Sequence, residues 1–127
     1  MILLDTSVWV DHLRAGDEGV AALLDSGRVL SHPFVIGELA LGHLRQRKTI
    51  IPALQNLPQA SIATDAEVLL FIERNALAGL GIGYVDVHLL AATRLTAGSA
   101  LWTRDKRLAG IAERLSLGWD EGKAGPK

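Results

Sequence analysis

The chain has 127 residues, 49% of them apolar and 21% charged, no cysteine and a formal net charge of −1. That suffices for one domain with a real core but not for two, and it excludes disulfides and thiolate metal sites. No apolar run reaches the length of a membrane span, and Asp5 interrupts the first apolar stretch too early for a signal peptide. A cytoplasmic protein is expected, with no global charge drawing it toward nucleic acid.

The four apolar residues Met1, Ile2, Leu3 and Leu4 show no polar alternation, the pattern of a strand buried on both faces in a parallel sheet. Thr6 or Ser7 is expected to cap a helix over 6–14, whose apolar stripe is Trp9, Val10 and Leu13. Asp17 caps a second helix, with Val20, Leu23 and Leu24 at helical spacing and Ser26 and Gly27 as its stop. A short strand over 28–31 follows. Pro33 suits the first turn of a third helix, which carries Glu38 and runs into the basic cluster Arg45, Arg47 and Lys48. A fourth helix is expected over 49–56 and a third strand over 60–62.

Thr64 and Glu67 make a capping box for a fifth helix, striped by Val68, Leu69, Ile72 and Ala76. The glycines at 79, 81 and 83 form a joint before a strongly apolar sixth helix that starts at Tyr84 or Val85 and runs to 96. A fourth strand covers 99–102, a short helix begins after Thr103, Arg104 and Asp105, and a small edge strand is expected at 116–117. Strands alternate with helices, which predicts a three-layer α/β/α sandwich with a mainly parallel sheet of four to five strands. The domain is expected over 1–119, with 120–127 a disordered tail.

Several chemistries lack their residues. The histidines at 12, 32, 43 and 88 fit no H-E-x-x-H pattern, and no G-x-S-x-G elbow or P-loop occurs. The glycines at 79, 81 and 83 follow a helix and are wrongly spaced for a dinucleotide fingerprint. The acids are different. Asp5 ends the first strand, Asp105 the fourth, Asp86 lies in the first turn of the sixth helix, and Glu38 one turn inside the third. Strand ends and helix starts share one edge of a parallel α/β sheet, where ligands bind. Asp86 and Asp105 could simply favour helix N-termini, a reason that does not extend to Asp5 and Glu38.

Clustered carboxylates repel unless a cation joins them. Mg²⁺ or Mn²⁺ suits such a set, held by Asp5, Asp86 and Asp105, with substrate phosphate and water completing its shell. Such a site supports phosphodiester hydrolysis. The hydroxyls of Thr6, Ser7 and Thr103 can orient the carboxylates from behind. Arg104, beside Asp105 at a helix start, is the expected phosphate contact on a nucleic-acid substrate.

The order Leu4-Asp5-Thr6-Ser7, then Glu38, then Gly83-Tyr84-Val85-Asp86-Val87-His88-Leu89-Leu90-Ala91, then Leu101-Trp102-Thr103-Arg104-Asp105-Lys106-Arg107-Leu108 resembles the PIN-domain nucleases, most of all the VapC-type toxins. The resemblance runs from residue 1 to about residue 117. It implies an endoribonuclease dependent on Mg²⁺ or Mn²⁺, with Asp5, Glu38, Asp86 and Asp105 as its acids, a homodimer, and inhibition by a cognate antitoxin. A non-catalytic module that captures a basic partner segment, and a stand-alone RNA-processing nuclease, are the alternatives. A haloacid-dehalogenase-like phosphatase would want a second aspartate where Ser7 stands.

Overall fold

The computed structural model describes residues 1–121. Of the tail expected over 120–127, all but the first two residues lie outside the described residues. The opening apolar run forms β1 (Ile2–Leu4), whose residues are at most 3% exposed. Successive strand side chains point to opposite faces, so both faces of the sheet are covered, as a three-layer arrangement requires.

β1 is the central strand. It pairs in parallel with β2 (Val29–Leu30) on one side and β3 (Ala100–Trp102) on the other, with Leu3 opposite both Leu30 and Leu101. The sheet therefore has three strands among the described residues, not four or five. The expected strands at 60–62 and 116–117 are absent; beside the sheet, Gln59 and Gly118, each one residue outside those spans, form single parallel bridges with Ser31 and Leu101. Pro58 has no N–H to extend the first ladder, although its carbonyl accepts from Ser31 N. Ser116 has φ 60, which no strand tolerates, just before the second.

Around the sheet run α1 (Thr6–Ala15), α2 (Glu18–Asp25), α3 (Pro33–Leu41), α4 (Arg47–Asn56), α5 (Asp65–Arg74), α6 (Tyr84–Leu95) and α7 (Lys106–Arg114). The cap of α1 is Asp5 rather than Thr6 or Ser7. α3 stops at Leu41, short of the basic cluster, because Gly42 leaves the helical region. Arg47 instead opens α4 and turns its guanidinium back onto the carbonyls of Ala40 and Gly42, satisfying the end of α3. The capping box of Thr64 and Glu67 forms on α5 as its spacing requires. α6 is the innermost helix: every residue from Val87 to Thr93 is buried. Leu3, Leu4, Leu89, Leu90, Leu101 and Leu108 are among the most buried side chains of the core, each contributing roughly 1.5–3 kcal/mol. This packing fixes the carboxyl ends of β1 and β3 and the start of α6 relative to one another.

Candidate active site

Asp5 leaves β1 and caps α1, so its backbone is held by both elements; its N–H donates to Trp102 O of β3 at 2.9 Å. The residue is 7% exposed, and its carboxylate accepts from three donors, which leaves part of Oδ1 free. Oδ1 accepts from Thr6 N at 2.7 Å, and Oδ2 accepts from Ser7 Oγ at 3.0 Å and Thr103 Oγ1 at 2.7 Å. Those hydroxyls are oriented in turn. Ser7 Oγ accepts from Arg104 N at 3.0 Å, and Thr103 Oγ1 accepts from Asp105 N at 3.1 Å. Each hydroxyl thus passes a backbone donor's direction to the carboxylate, a preorganised arrangement.

The other acids are fixed by their own elements. Thr6 Oγ1 donates to Glu38 Oε1 at 2.6 Å, tying α3 to the start of α1. Asp86 Oδ2 accepts from Gly83 N at 3.0 Å at the entry of α6. Asp105 Oδ1 accepts from Leu108 N at 3.0 Å and caps α7. Asp86 and Asp105 therefore do serve helix ends. They also belong to one electrostatic group: burial pushes the Asp86 carboxyl up, and the negative charges of Asp5, Asp105 and Glu38 push it further, against the Gly83 hydrogen bond. Asp86 thus feels the charge of each of the other three acids, while Ser7 and Thr103 donate to Asp5 and Thr6 donates to Glu38.

Arg104 stands elsewhere. Its guanidinium donates to Asp11 Oδ2 at 2.6 Å, Asp17 Oδ2 at 2.5 Å and Glu121 Oε1 at 3.2 Å, and lies 5.4 Å above the Trp102 ring. The Arg104 hydrogen bond, together with the helix-start N–H of Val20, holds the Asp17 carboxyl below the usual carboxylate range. Position beside Asp105 suggests a phosphate contact; the side chain is instead the hub of an ion network, and phosphate would have to displace three carboxylates. The partners lie 93, 87 and 17 residues away in the chain, so no local pattern discloses them. Sequence reading also misses His32. It is fully buried and caps α3, its Nδ1 accepting from Phe34 N at 3.0 Å. Burial, then the neighbouring His88, lowers its pKa to about 4, so it stays a neutral acceptor.

Among the described residues none of the four acids forms an ion pair with lysine or arginine. Nor does any group of three or more His, Asp or Glu side chains among the described residues stand close enough to hold a metal ion between them. The donor set is all oxygen, which fits a hard divalent ion that keeps several of its waters and is touched by few carboxylates. Two surface cavities, of about 340 and 250 Å³, are lined by other residues, among them Ile36 with Gln55 and Trp102 with Trp119. The acids sit on neither wall.

The PIN domain profile matches residues 2–114. The chain belongs to the PIN-domain family. Within the family this PIN domain is of the VapC type: it is 49% identical over 108 residues to the protein named Ribonuclease VapC32 from two strains of Mycobacterium tuberculosis, CDC 1551 and H37Rv, covering 85% of this chain and 87% of the relative. Two solved structures share the PIN fold. One is FitAB bound to an IR36 DNA fragment, at 22% identity and TM-score 0.62, covering 89% of this chain and 91% of that one. The other is FitAcB from Neisseria gonorrhoeae, at 23% identity and TM-score 0.62, with 89% and 94% covered.

Proposed function

We propose that this PIN domain, residues 1–119, is an endoribonuclease dependent on Mg²⁺ or Mn²⁺ and the toxin of a toxin–antitoxin pair. The observation that carries the reading is the convergence of Asp5, Glu38, Asp86 and Asp105 into one electrostatic group, with hydroxyls already aimed at Asp5. The kinship to a protein named a ribonuclease gives the substrate class. On this reading the chain works in the cytoplasm, pairs with a second copy, and is silenced by a cognate antitoxin.

Asp5, Asp86 and Asp105 would hold the ion, with Glu38 completing the acidic set. A bound divalent ion supplies charge neutralisation of the phosphodiester and a more acidic water. The chain's own contribution is orientation. Ser7 and Thr103 lock the Asp5 carboxylate, Thr6 locks Glu38, and the capping bonds from Gly83 N and Leu108 N orient the carboxylates of Asp86 and Asp105. Water adds to phosphorus as the bond to one bridging oxygen breaks, and that oxygen leaves with a proton. With Glu38 and Asp105 exposed at its rim, the site suits a polymer rather than an enclosed small molecule.

The test is cleavage of single-stranded RNA by purified protein. Activity silent in EDTA and restored by Mg²⁺ or Mn²⁺ but not Ca²⁺ is expected, since calcium's loose geometry positions water poorly. Full activity in chelator would overturn the metal reading. Co-expression with the neighbouring open reading frame tests the toxin part: relief of growth arrest and a stable complex are expected, and persistent arrest without a complex would favour a stand-alone nuclease.

A further inference from the structure

The chain has six aromatic residues besides histidine: three tryptophans, two phenylalanines and one tyrosine. Trp9 and Trp102 are buried, and Phe71 and Trp119 partly so. Only Phe34, at 39%, and Tyr84, at 46%, are exposed, and both converge on one imidazole. The Phe34 and Tyr84 rings each meet buried His88 edge-to-face, with centroids 4.7 Å away. His32 meets Phe34 from the other side at 5.2 Å. Tyr84 Oη donates to Asp65 Oδ1 at 2.9 Å, which fixes the phenol. Two rings held by packing and a hydrogen bond are exposed at low conformational cost.

Their place is as informative as their rigidity. Phe34 is one turn before Glu38 on α3, the i,i+4 relation that puts both on one face. Tyr84 shares the first turn of α6 with Asp86. The aromatic pair thus adjoins the acidic site through Phe34 on α3, while Tyr84, on the His88 face of α6, meets Phe34 across that imidazole. Exposed rings beside a phosphodiester-cleaving site meet the one part of RNA that carboxylates cannot bind, the faces of unpaired bases.

We propose that Phe34 and Tyr84, braced on His88, form a stacking platform for unpaired bases next to the scissile phosphate. This rests on the nuclease reading above. Stacking is tolerant of base identity, so the platform selects unpaired structure more than sequence.

The test measures equilibrium binding in an Asp5→Asn background, where RNA is not consumed. The probes are a short oligouridylate and its counterpart with abasic central nucleotides. Phe34→Leu and Tyr84→Leu keep apolar contact with His88 but lose a stacking face. Each should bind oligouridylate about 5- to 100-fold more weakly, with an unchanged salt slope because no phosphate contact is lost. Phe34→Trp should bind at least as tightly as the parent, and neither leucine variant should differ from it on the abasic probe. Thermal melts confirm that each variant is folded. Leucine variants that bind like the parent, or that lose as much on abasic RNA, would overturn the platform. So would variants that keep RNA but lose the protein encoded next door, since the surface would then be a protein-docking face. Cleavage by the wild-type chain in Mn²⁺ is followed in parallel. Its absence would sink the nuclease reading, while the binding comparison still reports on the platform alone.

Discussion

Two acidic groups meet at three consecutive residues. Thr103 and Asp105 belong to one, with Asp5, Glu38 and Asp86; Arg104 turns the other way, into Asp11, Asp17 and Glu121. The second group contains its own cation, and its Asp17 has a lowered pKa. The first is braced by hydroxyls and backbone N–H groups, and its Asp86 has a raised pKa. Similar side chains, close together, are set to opposite tasks by one guanidinium. An acid cluster neutralised from within holds a fold together; one left to repel itself is suited to capture a cation from outside.

The largest contrast is in rate. Asp5→Asn keeps the shape and the acceptor Oδ1 for Thr6 N, yet removes a charge from the site. Cleavage should fall more than about a hundredfold, beyond what losing an outer-shell partner costs, with the far-UV spectrum unchanged. Near-normal activity in a preparation free of contaminating nuclease would break the assignment. Arg104→Met reverses the pattern. It leaves Asp11 and Asp17 facing one another, and stability should fall by about 2 kcal/mol in denaturant titration. Cleavage per folded molecule and the salt slope of RNA binding should hold. A slope lowered by about one would instead make Arg104 a phosphate contact.

Thr103→Val removes a donor to Asp5 and the acceptor for Asp105 N. A loss of about tenfold or more in rate is expected, as for other residues that only orient a site. A small stability cost of about 1 kcal/mol should accompany it. The smallest effects carry the sharpest sign. A depressed carboxyl pKa, as for Asp17, contributes stability above its unfolded value of 3.8 that is lost as pH falls through the lower folded value. The raised pKa of Asp86 works the other way: stability is gained as pH falls through the folded value toward 3.8. At pH 7, without divalent ions, Asp17→Asn should therefore lower the melting temperature and Asp86→Asn raise it. Each change is at most about 1 kcal/mol after solvent screening. Shifts of the same sign would erase the distinction between the two clusters.

The sequence discloses these clusters unequally, for a physical reason. The four acids are legible because strand ends and helix starts are local features, and a parallel sheet gathers them on one edge. β1 reads as central from its unbroken apolar run, and the box of Thr64 and Glu67 reads from spacing alone. The Arg104 network is illegible because it joins residues far apart in the chain through side-chain directions that no periodicity encodes. The edges of the sheet fail for a local reason: apolar composition marks 60–62 and 116–117 as strands, but Pro58 and the positive φ of Ser116 interrupt the backbone, and the single bridges fall on Gln59 and Gly118. Asp5 displaces Thr6 and Ser7 as the cap because its carboxylate reaches Thr6 N, freeing both hydroxyls for Glu38 and Asp5.

The central claim is that Asp5, Asp86 and Asp105, beside Glu38, bind a divalent ion which the Arg104 cluster does not. It is tested most directly by thermal unfolding with and without Mn²⁺, comparing the wild-type chain with Asp5→Asn and Asp17→Asn. At a hundredfold excess over the dissociation constant, binding to the folded state alone adds about 2.7 kcal/mol, or roughly 10 °C for a chain of this size. The wild-type and Asp17→Asn proteins should gain that shift, and Asp5→Asn should lose most of it. An equal shift in all three, or none in the wild type, would contradict the claim.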